Sequence, residues 1–477
     1  MTGTDMGALL PELVMAVGGM ALMIGGVFAG DQWQRVVNWC AIALLLATAG
    51  LILATEPRAI AFNGAFIADA FAEFVKMLAL IGAALVLFMG QSYVEREHMA
   101  RFEFSVLVVF SVLGMMLMAS AGDFITLYLS LELQSLALYV LAAFDRDNLR
   151  STESGMKYFI LGALSSGMML YGISLIYGFG GTISFAKVAM LVHAGNVSIG
   201  LIFGLVFLIS GLAFKVSAVP FHMWTPDVYE GAPTPITAFF SASPKIAAMA
   251  LFVRAMVAPF PGAIDQWRQV IVLVSILSMA LGAVAAIGQS NIKRLMAYSS
   301  IGNMGYVLIG LASGTAQGVE GVLLYLLIYL VTTIGTFACI LAMRRGGHMV
   351  ENIGDLAGVA QTHPGFAFVL AMLMFSLAGV PPLAGFFAKF YVFLAAINAG
   401  LYPLAVIGVL ASVVGAYYYL RIVKIIYFDE PAPSFDPGMG WSVVSVITGS
   451  GIFTLFFIVG AAPLVRGATA AAQALFP

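Results

Sequence analysis

The sequence predicts an all-α polytopic membrane protein of about fourteen transmembrane helices, with two inverted five-helix repeats and two broken helices. Three observations predict this class. Hydrophobic residues account for 62% of the 477 positions, and charged residues for only 9%. Apolar stretches of about 20 residues, the length that crosses the hydrocarbon core of a bilayer, recur along the whole chain. Two of these stretches are too long for a single crossing, and each contains proline near its middle.

Composition also excludes several classes of protein. A net charge of −2 cannot supply a basic face for nucleic acid, so no nucleic acid is expected and membrane lipids are the main expected partner. Cys40 and Cys339 lie alone in apolar stretches, without the spacing of a metal site, and are predicted to be packing residues. Asp5 and Glu12, rather than basic residues, surround the start of the first apolar run. This pattern predicts a spanning helix instead of a cleaved signal peptide.

The predicted spans divide a single membrane domain, residues 1–477, into four parts. Three leading helices (1–103) precede the first repeat (104–257), the inverted second repeat follows (266–428), and one C-terminal helix ends the chain (440–477). The fourteen predicted spans cover residues 7–28, 36–54, 69–90, 104–120, 122–144, 153–178, 198–229, 233–257, 266–288, 292–313, 317–343, 364–400, 403–428 and 440–464.

Two of the predicted spans must be interrupted. As continuous helices, residues 198–229 and 364–400 would extend about 48 Å and about 55 Å, against a hydrocarbon core of about 30 Å. Pro220 and the Pro381-Pro382 pair mark the breaks. Main-chain polar groups freed at membrane depth must be satisfied by protein or by a wet cavity, so both breaks are expected to point inward.

The distribution of lysine and arginine predicts the orientation of the chain. If the N terminus lies outside, eleven basic residues fall in or beside cytoplasmic loops and only four fall on the opposite side. The four are Arg58, Lys187, Arg268 and Arg466. Both termini are therefore expected on the outer side. The seventh and twelfth spans then run in opposite directions, which is typical of the inverted repeats of transporters.

Six basic residues remain inside the spans: Lys76, Lys157, Lys215, Lys245, Arg254 and Lys389. Each requires an explanation, because a charged side chain is costly at the centre of a bilayer. Lys157 and Arg254 lie near span ends and could snorkel, whereas Lys76 could pair with Glu73, three residues earlier. Lys245 lies in the middle of its span, where neither explanation applies.

The predicted functional site consists of Glu132, Lys215, Lys245 and Lys389. Glu132 is the only acid near the middle of the fifth span, while Lys215 precedes the first break and Lys389 follows the second. With three lysines and only one carboxylate, some of the positive charges have no partner. An arrangement that only holds helices together should avoid such unpaired charges. A desolvated lysine can release its proton near neutrality, so the set predicts proton transfer. Helix termini are expected to favour the cation at Lys215 and to disfavour it at Lys389.

Other polar residues near these lysines allow two interpretations. His222, seven residues after Lys215, is either a packing residue or a proton carrier in the broken region. The hydroxyl groups of Tyr298, Ser299 and Ser300 could serve a water chain, and packing explains them equally well. The residue pattern leaves both alternatives open.

Three motifs carry a resemblance to a known family. FHMWTPDVYEGAPTPITAFFSASPK (221–245), QSNIKRLMAYSSIGNMGY (289–306) and GVPPLAGFFAKFYVF (379–393) closely resemble the N-type subunits of bacterial proton-pumping NADH:quinone oxidoreductase, or complex I. These antiporter-like subunits are related to subunits of multi-component sodium/proton antiporters. The resemblance covers essentially the whole chain and implies fourteen helices, inverted repeats and a polar axis in the middle of the membrane.

The resemblance also implies residue roles. Glu132 and Lys215 match the family's Glu/Lys pair, Lys245 its connecting lysine and Lys389 its terminal lysine. His222 and Lys157 match polar positions along or beside the axis, Lys157 also as a candidate for proton uptake. Asn303 stands where relatives often carry histidine, so we do not expect it to carry protons. A lysine at position 389 favours the N-type over the M-type subunit.

The implied function is proton translocation by a non-redox subunit of NADH:quinone oxidoreductase. FMN, iron–sulfur clusters and quinone are expected in partner subunits, and no cofactor or metal in this chain. M-type and small K-type subunits are the expected neighbours, and protons and internal water the moving species. The implied location is the bacterial inner membrane, with both termini on the periplasmic side.

Two other functions remain as alternatives. A subunit of a multi-component sodium/proton antiporter complex would have the same lysine axis, so the axis does not separate it from the first function. A stand-alone solute permease would need side chains that recognise an organic substrate around the breaks. Only groups suited to proton transfer are found there.

Overall fold

The computed structural model describes residues 3–55, 59–195 and 197–476, so Arg58 lies outside the described residues. The N-terminal part contains three long helices and a small hairpin. Its elements are α1 (Gly3–Ala8), α2 (Leu10–Ala29), α3 (Gln34–Ala54), β1 (Ala59–Ala61), β2 (Phe66–Ala68) and α4 (Ala70–Arg96).

The first predicted repeat comprises α5 (Glu103–Ala119), α6 (Phe124–Ala142), α7 (Leu149–Gly180), α8 (Phe185–His193), α9 (Ile199–Lys215), α10 (Trp224–Gly231), α11 (Thr234–Ser241) and α12 (Ser243–Val257). The second comprises α13 (Ile264–Ile287), α14 (Ile292–Ser313), α15 (Ala316–Ala342), β3 (Arg344–Arg345), β4 (His348–Met349), α16 (Val359–Thr362), α17 (Pro364–Ala378), α18 (Ala384–Asn398) and α19 (Tyr402–Phe428). The last helix is α20 (Trp441–Gln473), and short 3-10 helices cover Asp31–Trp33, Phe62–Gly64, Pro261–Ala263 and Ile353–Leu356.

The fourteen apolar spans of the sequence are helical within the described ranges, which confirms the predicted fold class. Eleven spans are long and apolar enough to cross a membrane, α5 is a shorter apolar helix, and the other two spans are the broken pairs α9/α10 and α17/α18. Helix ends differ from the prediction by up to nine residues. The largest difference is at α20, which continues to Gln473 because the alanine-rich sequence after Gly467 favours helix.

Three spans form the centre of the bundle, and one of them carries Lys245. The spans formed by α11 with α12, by α14 and by α15 are almost completely covered by other helices. By contrast, α2, α7, α19 and α20 each present a broad apolar face to the outside. The helix α20 packs along both α15 and α4, and so joins the N-terminal part to the second repeat.

The break between α9 and α10 is buried from Val216 to Val219, whereas Pro220 and Met223 are exposed, so the predicted inward position holds for only the first half of the break. Its freed main-chain groups find side-chain partners: Trp224 Nε1 donates to Phe214 O (3.0 Å), and Val219 N donates to Ser278 Oγ on α13 (2.8 Å). Thr225 Oγ1 donates to Ser217 Oγ (2.7 Å) within the break. These bonds allow an interrupted helix to persist inside the protein.

The break between α17 and α18 does not point inward, so this prediction was wrong. Val380, Pro381 and Pro382 are exposed at the outer surface of the chain. Proline has no main-chain N–H to satisfy, and Gly379 and Val380 donate within the turn to Phe375 O (3.1 and 3.0 Å). The turn thus satisfies its own polar groups and does not require a buried environment.

A third break interrupts the eighth span, which the sequence predicted to be continuous from 233 to 257. Ala242 has non-helical dihedral angles (φ −110°, ψ −98°), and α12 restarts at Ser243 with Pro244 in its first turn. Ser243 Oγ donates to Ala79 O on α4 (3.2 Å) across a close contact at Gly82. As a result, Lys245 lies in the first turn of a short helix, not in the middle of a long one.

The loops before α6 and α14 reveal the internal repeat. Phe124 N donates to Ile183 O (3.1 Å) and Phe185 N to Gly122 O (3.1 Å); Ile292 N donates to Glu351 O (2.8 Å) and Ile353 N to Ser290 O (2.8 Å). Each atom of the second pair of bonds lies 168 positions after its counterpart in the first pair. The helix α6 is the fifth span and α14 is the tenth, so the two start at opposite faces of the bundle. This arrangement agrees with an inverted repeat.

Candidate functional site

Eight charged side chains are buried in the described part of the chain, and they fall into two groups. Five of them form ion pairs: Glu12 with Lys76, Arg254 with Asp69, Lys293 with Glu351, and Arg344 with Glu97. The other three have no carboxylate within 4.0 Å among the described residues. These three are Lys215, Lys245 and Lys389, the lysines that the sequence placed in the site.

Two predictions for the remaining charges were wrong. Lys76 does not pair with Glu73; its Nζ lies 2.6 Å from Glu12 Oε1, because α2 brings a buried carboxylate against α4. Arg254 does not snorkel to the membrane surface. Its guanidinium is buried and donates to Asp69 Oδ1 (2.6 Å), the side chain that caps the N terminus of α4. Both pairs join neighbouring parts of the bundle, and neither includes any of the three lysines.

Lys215 ends α9 and faces the polar side of α6. Its Nζ donates to Ser135 Oγ (2.8 Å) and to Tyr139 OH (3.3 Å). Glu132 lies one turn before Ser135 on the same helix face and accepts from Ser166 Oγ (2.5 Å) on α7. Glu132 and Lys215 therefore share a site in which Coulomb attraction acts between them, but hydroxyl groups, not a direct ion pair, contact the ammonium.

Lys245 lies in the first turn of α12, deep in the bundle. Its Nζ donates to Ser300 Oγ on α14 (2.6 Å), and the same oxygen accepts from Tyr329 OH on α15 (2.7 Å). The ring of Tyr229, on α10, lies 5.0 Å from the Lys245 ammonium. Ser300 is eight residues into α14, the repeat position that Glu132 occupies eight residues into α6. The second repeat thus has a hydroxyl where the first has a carboxylate.

Lys389 lies beside the second broken helix, and its position contradicts the predicted effect of the helix terminus. Although Lys389 belongs to α18, its Nζ reaches back to Ala378 O at the C-terminal end of α17 (2.9 Å). That end favours a cation, the opposite of the expectation. Nζ also donates to Ser412 Oγ (2.8 Å), and the ring of Tyr306 lies 4.8 Å away. A cleft of about 390 Å³ between α18 and α19 connects Lys389 to the outer surface.

Lys157 lies in a charged surface cleft rather than beside the buried lysines. Its Nζ is 2.8 Å from Glu153 and 2.8 Å from Asp227, and its side chain is 42% exposed. Asp227 also accepts from Arg294 Nη1 (2.8 Å), so it connects α7 with α14. Arg150 and Glu230 help to line this cleft of about 200 Å³. A role for Lys157 in proton uptake remains a prediction.

His222 lies in the first break, half-buried between α9 and α10. Its buried Nδ1 has no hydrogen-bond partner within the described chain, and no hydrogen bond connects it to Lys215 or Lys245. The ring interacts with the main chain of Pro220 within the break, but no hydrogen bond among the described residues joins it to either lysine. Its role on the axis stays a prediction.

The aromatic partition, formed by Tyr139, Tyr158 and Trp224, fills the space from Lys215 towards Lys245. Tyr158 packs edge-on against Tyr139 (ring centroids 4.9 Å apart) and stacks on Trp224 (4.4 Å). The ring of Trp224 then lies 6.0 Å from Lys245 Nζ. No local signal in the sequence distinguishes these three residues from the other aromatic residues of the chain.

The hydroxyl cluster lies on the other side of Lys245, towards Lys389. Tyr419 OH and Ser299 Oγ are 2.5 Å apart, and Asn303 Nδ2 donates to both (3.4 and 3.3 Å). Tyr325 OH donates to Asn303 Oδ1 (2.6 Å). The QSNIKRLMAYSSIGNMGY motif contained part of this cluster, whereas Tyr325 and Tyr419 come from distant segments and could not be placed with it from sequence.

Comparisons with known proteins agree with this architecture. The family model described as "NADH:quinone oxidoreductase/Mrp antiporter, TM" matches residues 121–415. NADH-quinone oxidoreductase subunit N of Parvibaculum lavamentivorans is 59% identical over 470 residues, which cover 98% of this chain and 97% of that protein. A chain of respiratory complex I from Thermus thermophilus superposes with a TM-score of 0.83 at 32% identity, covering 96% of this chain and 99% of that one.

A chain of the Mrp complex from Dietzia sp. DQ12-45-1b superposes with a TM-score of 0.87, covering 100% of this chain and 98% of that one. Its identity of 22% shows a shared fold alone. The near-complete coverage of the subunit N relative and the family model together identify this multi-pass helical membrane protein. The chain belongs to the NADH:quinone oxidoreductase/Mrp antiporter family, as a relative of its subunit N members.

Proposed function

We propose that this chain is a proton-translocating subunit of a proton-pumping NADH:quinone oxidoreductase. Its relative at 59% identity is named a subunit of that enzyme, which supports the assignment over nearly the full chain. Oxidation of NADH and reduction of quinone belong to partner subunits that carry FMN and iron–sulfur clusters. The chain itself binds protons on amines and on a carboxylate, and moves them when the redox reaction changes its surroundings.

One observation carries the proposal: three of the buried lysines lack a carboxylate partner. In the described chain, every other buried lysine or arginine is in an ion pair. An unpaired ammonium is costly in a dry interior, but a neutral amine is not, so both charge states are accessible at these positions. Neutral hydroxyl groups around the amines can hydrogen-bond to either state, because a hydroxyl both donates and accepts.

The transfer steps follow from these contacts. When Glu132 is ionised, its charge favours the ammonium form of Lys215, and a shift of the carboxylate away from Lys215 releases that proton. The aromatic partition separates Lys215 from Lys245, so water must enter beside it before a proton can cross. From Lys245, Ser300 and the hydroxyl cluster lead towards Lys389, and water completes the chain of hydrogen bonds. Each step moves one proton from a donor to an acceptor and leaves the donor ready to accept the next.

A second candidate function is a subunit of a multi-component sodium/proton antiporter. The fold shared with a chain of the Mrp complex is the observation that favours it. The same lysines would serve that function, with an ion gradient as the energy source. Purification of the chain in one complex with flavin and iron–sulfur subunits would support the first function; purification with antiporter subunits alone would support the second.

We also propose the location and the neighbours. The bacterial subunit N relative supports a location in the bacterial inner membrane, and the positive-inside distribution supports both termini on the periplasmic side. An M-type and a K-type subunit are the proposed neighbours. A cysteine added after the last residue should react with an impermeant thiol reagent in intact spheroplasts. A cysteine that does not react would indicate the opposite orientation, with the C terminus on the cytoplasmic side.

The decisive experiment compares unpaired with paired lysines in the assembled enzyme. Lys215→Ala and Glu132→Ala should lower proton pumping and coupled quinone reductase activity while the complex still assembles; Lys389→Ala should behave similarly. The matched control replaces a paired lysine together with its partner, as Glu12→Leu/Lys76→Met, and should retain pumping. Undiminished pumping in an assembled Glu132→Ala/Lys215→Ala double variant would refute the proposal.

A further inference from the structure

The hydroxyl group of Ser300 has an unresolved hydrogen-bond requirement. A serine hydroxyl accepts two hydrogen bonds and donates one. Its oxygen already accepts from Lys245 Nζ (2.6 Å) and from Tyr329 OH (2.7 Å). Ser135, by comparison, donates to Leu131 O one turn earlier in its helix (2.7 Å), but within the described chain Ser300 makes no such bond. Its hydrogen therefore needs another acceptor.

The hydroxyl group of Tyr229 meets that requirement. It is fully buried and has no hydrogen-bond partner among the described residues, an uncommon and costly state for a buried hydroxyl. The ring lies 5.0 Å from Lys245 Nζ. The hydroxyl lies beside Ser300, close enough to interact with it but without a hydrogen bond of normal geometry. A small rotation of either side chain would join the two groups.

We propose that Tyr229 is a positioning residue for the Lys245 site, whose oxygen accepts the Ser300 hydrogen when Lys245 is an ammonium ion. This inference rests on the proposed function. In the ammonium state, Lys245 donates to Ser300, and Ser300 donates to Tyr229. After the proton leaves, the amine lone pair accepts from Ser300 instead, and Tyr229 is no longer needed. The loss of one proton reverses one hydrogen bond, so Tyr229 stabilises only the charged state.

The position of Tyr229 on α10 links movement of that helix to the Lys245 site. Tyr229 belongs to α10, the second half of the first broken helix, whereas Ser300 belongs to α14. Lys293 Nζ on α14 donates to Ala232 O just after α10 (2.9 Å), and Arg294 contacts Glu230 (3.0 Å). A shift of α10 against α14 would make or break the bond between Tyr229 and Ser300 without moving α12. Movement of the broken helix is thereby coupled to the charge of Lys245.

The test removes one hydroxyl at a time in the whole enzyme. Tyr229→Phe retains the ring, so the complex should assemble normally. Coupled quinone reductase activity and proton pumping should fall by about two- to tenfold, the value of one hydrogen bond. In a Ser300→Ala background, Tyr229→Phe should cause no further loss, because its partner is already absent. Thr454→Val, which removes another buried and unpartnered hydroxyl on α20, a helix that carries none of the three lysines, is the matched control and should retain full activity.

Each outcome decides the inference. Full activity of assembled Tyr229→Phe, or an equal loss with and without the Ser300 hydroxyl, would overturn it, because a packing effect does not depend on Ser300. If Tyr229→Phe fails to assemble, 3-fluorotyrosine at position 229 preserves the shape but weakens the oxygen as an acceptor, and unchanged activity would overturn the inference. Lys245→Ala separates the two proposals: normal pumping there would refute the proton axis itself, whereas impaired pumping with an active Tyr229→Phe would refute only the role of Tyr229.

Discussion

The ion pair between Glu12 and Lys76 allows a quantitative test of the distinction between paired and unpaired charges. The two side chains are 2% and 5% exposed, and Lys76 Nζ lies 2.6 Å from Glu12 Oε1. No hydrogen-bond donor within the described chain otherwise satisfies the carboxylate. Lys76→Met would therefore leave a buried charge without compensation, whereas Glu12→Leu/Lys76→Met would replace the pair by apolar side chains of similar size.

The expected loss of stability differs between the single and the double variant. Loss of one partner of a buried ion pair costs about 3–5 kcal/mol, while replacement of both by apolar residues is close to neutral or stabilising. With roughly 2.1 cal/mol/K of unfolding entropy per residue, a chain of this length has about 1 kcal/mol/K in total. The single variant should lower the unfolding temperature by about 3–5 °C, and the double variant should lower it by less than about 1 °C.

The assay heats the purified complex at a fixed scan rate, because unfolding of a large assembly depends on rate. Proton pumping per assembled complex is measured in vesicles for the same variants. If the double variant were as unstable as Lys76→Met, the ion pair would stabilise the chain by more than the cost of removing its two charges from water. Loss of pumping in a stable double variant would place Lys76 on the proton pathway and would remove the distinction on which the proposed function depends.

Three further predictions concern other parts of the chain. Asp227→Asn should change stability by less than about 1 kcal/mol, since its ion pairs are partly exposed, but should lower pumping; normal pumping would exclude the charged cleft from proton uptake. Gly385→Ala should impair assembly, because a Cβ there would lie 1.8 Å from Ser376 O, whereas Gly365→Ala meets open space and should assemble normally; equal assembly would contradict this contact. The hydrogen bonds from two glycine amides of the β3–β4 turn lower the pKa of Asp436. The contact stabilises the turn fully at pH values above the ordinary aspartate pKa of about 3.9. This stabilisation is lost as the pH falls through the lower pKa that Asp436 has in the folded chain. Amide hydrogen exchange of the turn should therefore stay constant from pH 6 to 8 relative to the intrinsic rate, and Asp436→Asn should accelerate it.

The sequence predicted the features that depend on depth and local composition. Lys245 could be singled out because it lies far from both ends of its span, and Lys215 and Lys389 because each adjoins a proline break. The two proline breaks were equally visible, since a continuous helix would have been too long. Contacts between distant segments could not be predicted in this way. Lys76 was assigned to Glu73, its neighbour along the helix, because nothing in the pattern shows that α2 brings Glu12 closer.

The break at Ala242 shows a different limit. No polar loop separates the two halves of this span at SASPK. Proline is also tolerated in the first turn of a helix, so Pro244 alone does not predict an interruption. The interruption is stabilised by a tertiary bond from Ser243 to α4. The direction of the second proline break was also missed, because the turn satisfies its own main-chain groups and can face outward.

The repeated loops before α6 and α14 have a consequence for the two halves of the chain. The repeated main-chain bonds place Glu132 and Ser300 at equivalent positions of the two repeats. The two halves therefore differ in the charge that this position can carry. A carboxylate retains a charge between turnovers, but a serine hydroxyl can only pass a proton onward. The architecture is therefore duplicated but the charge is not: at this repeat position the first half can hold a negative charge, and the second half cannot.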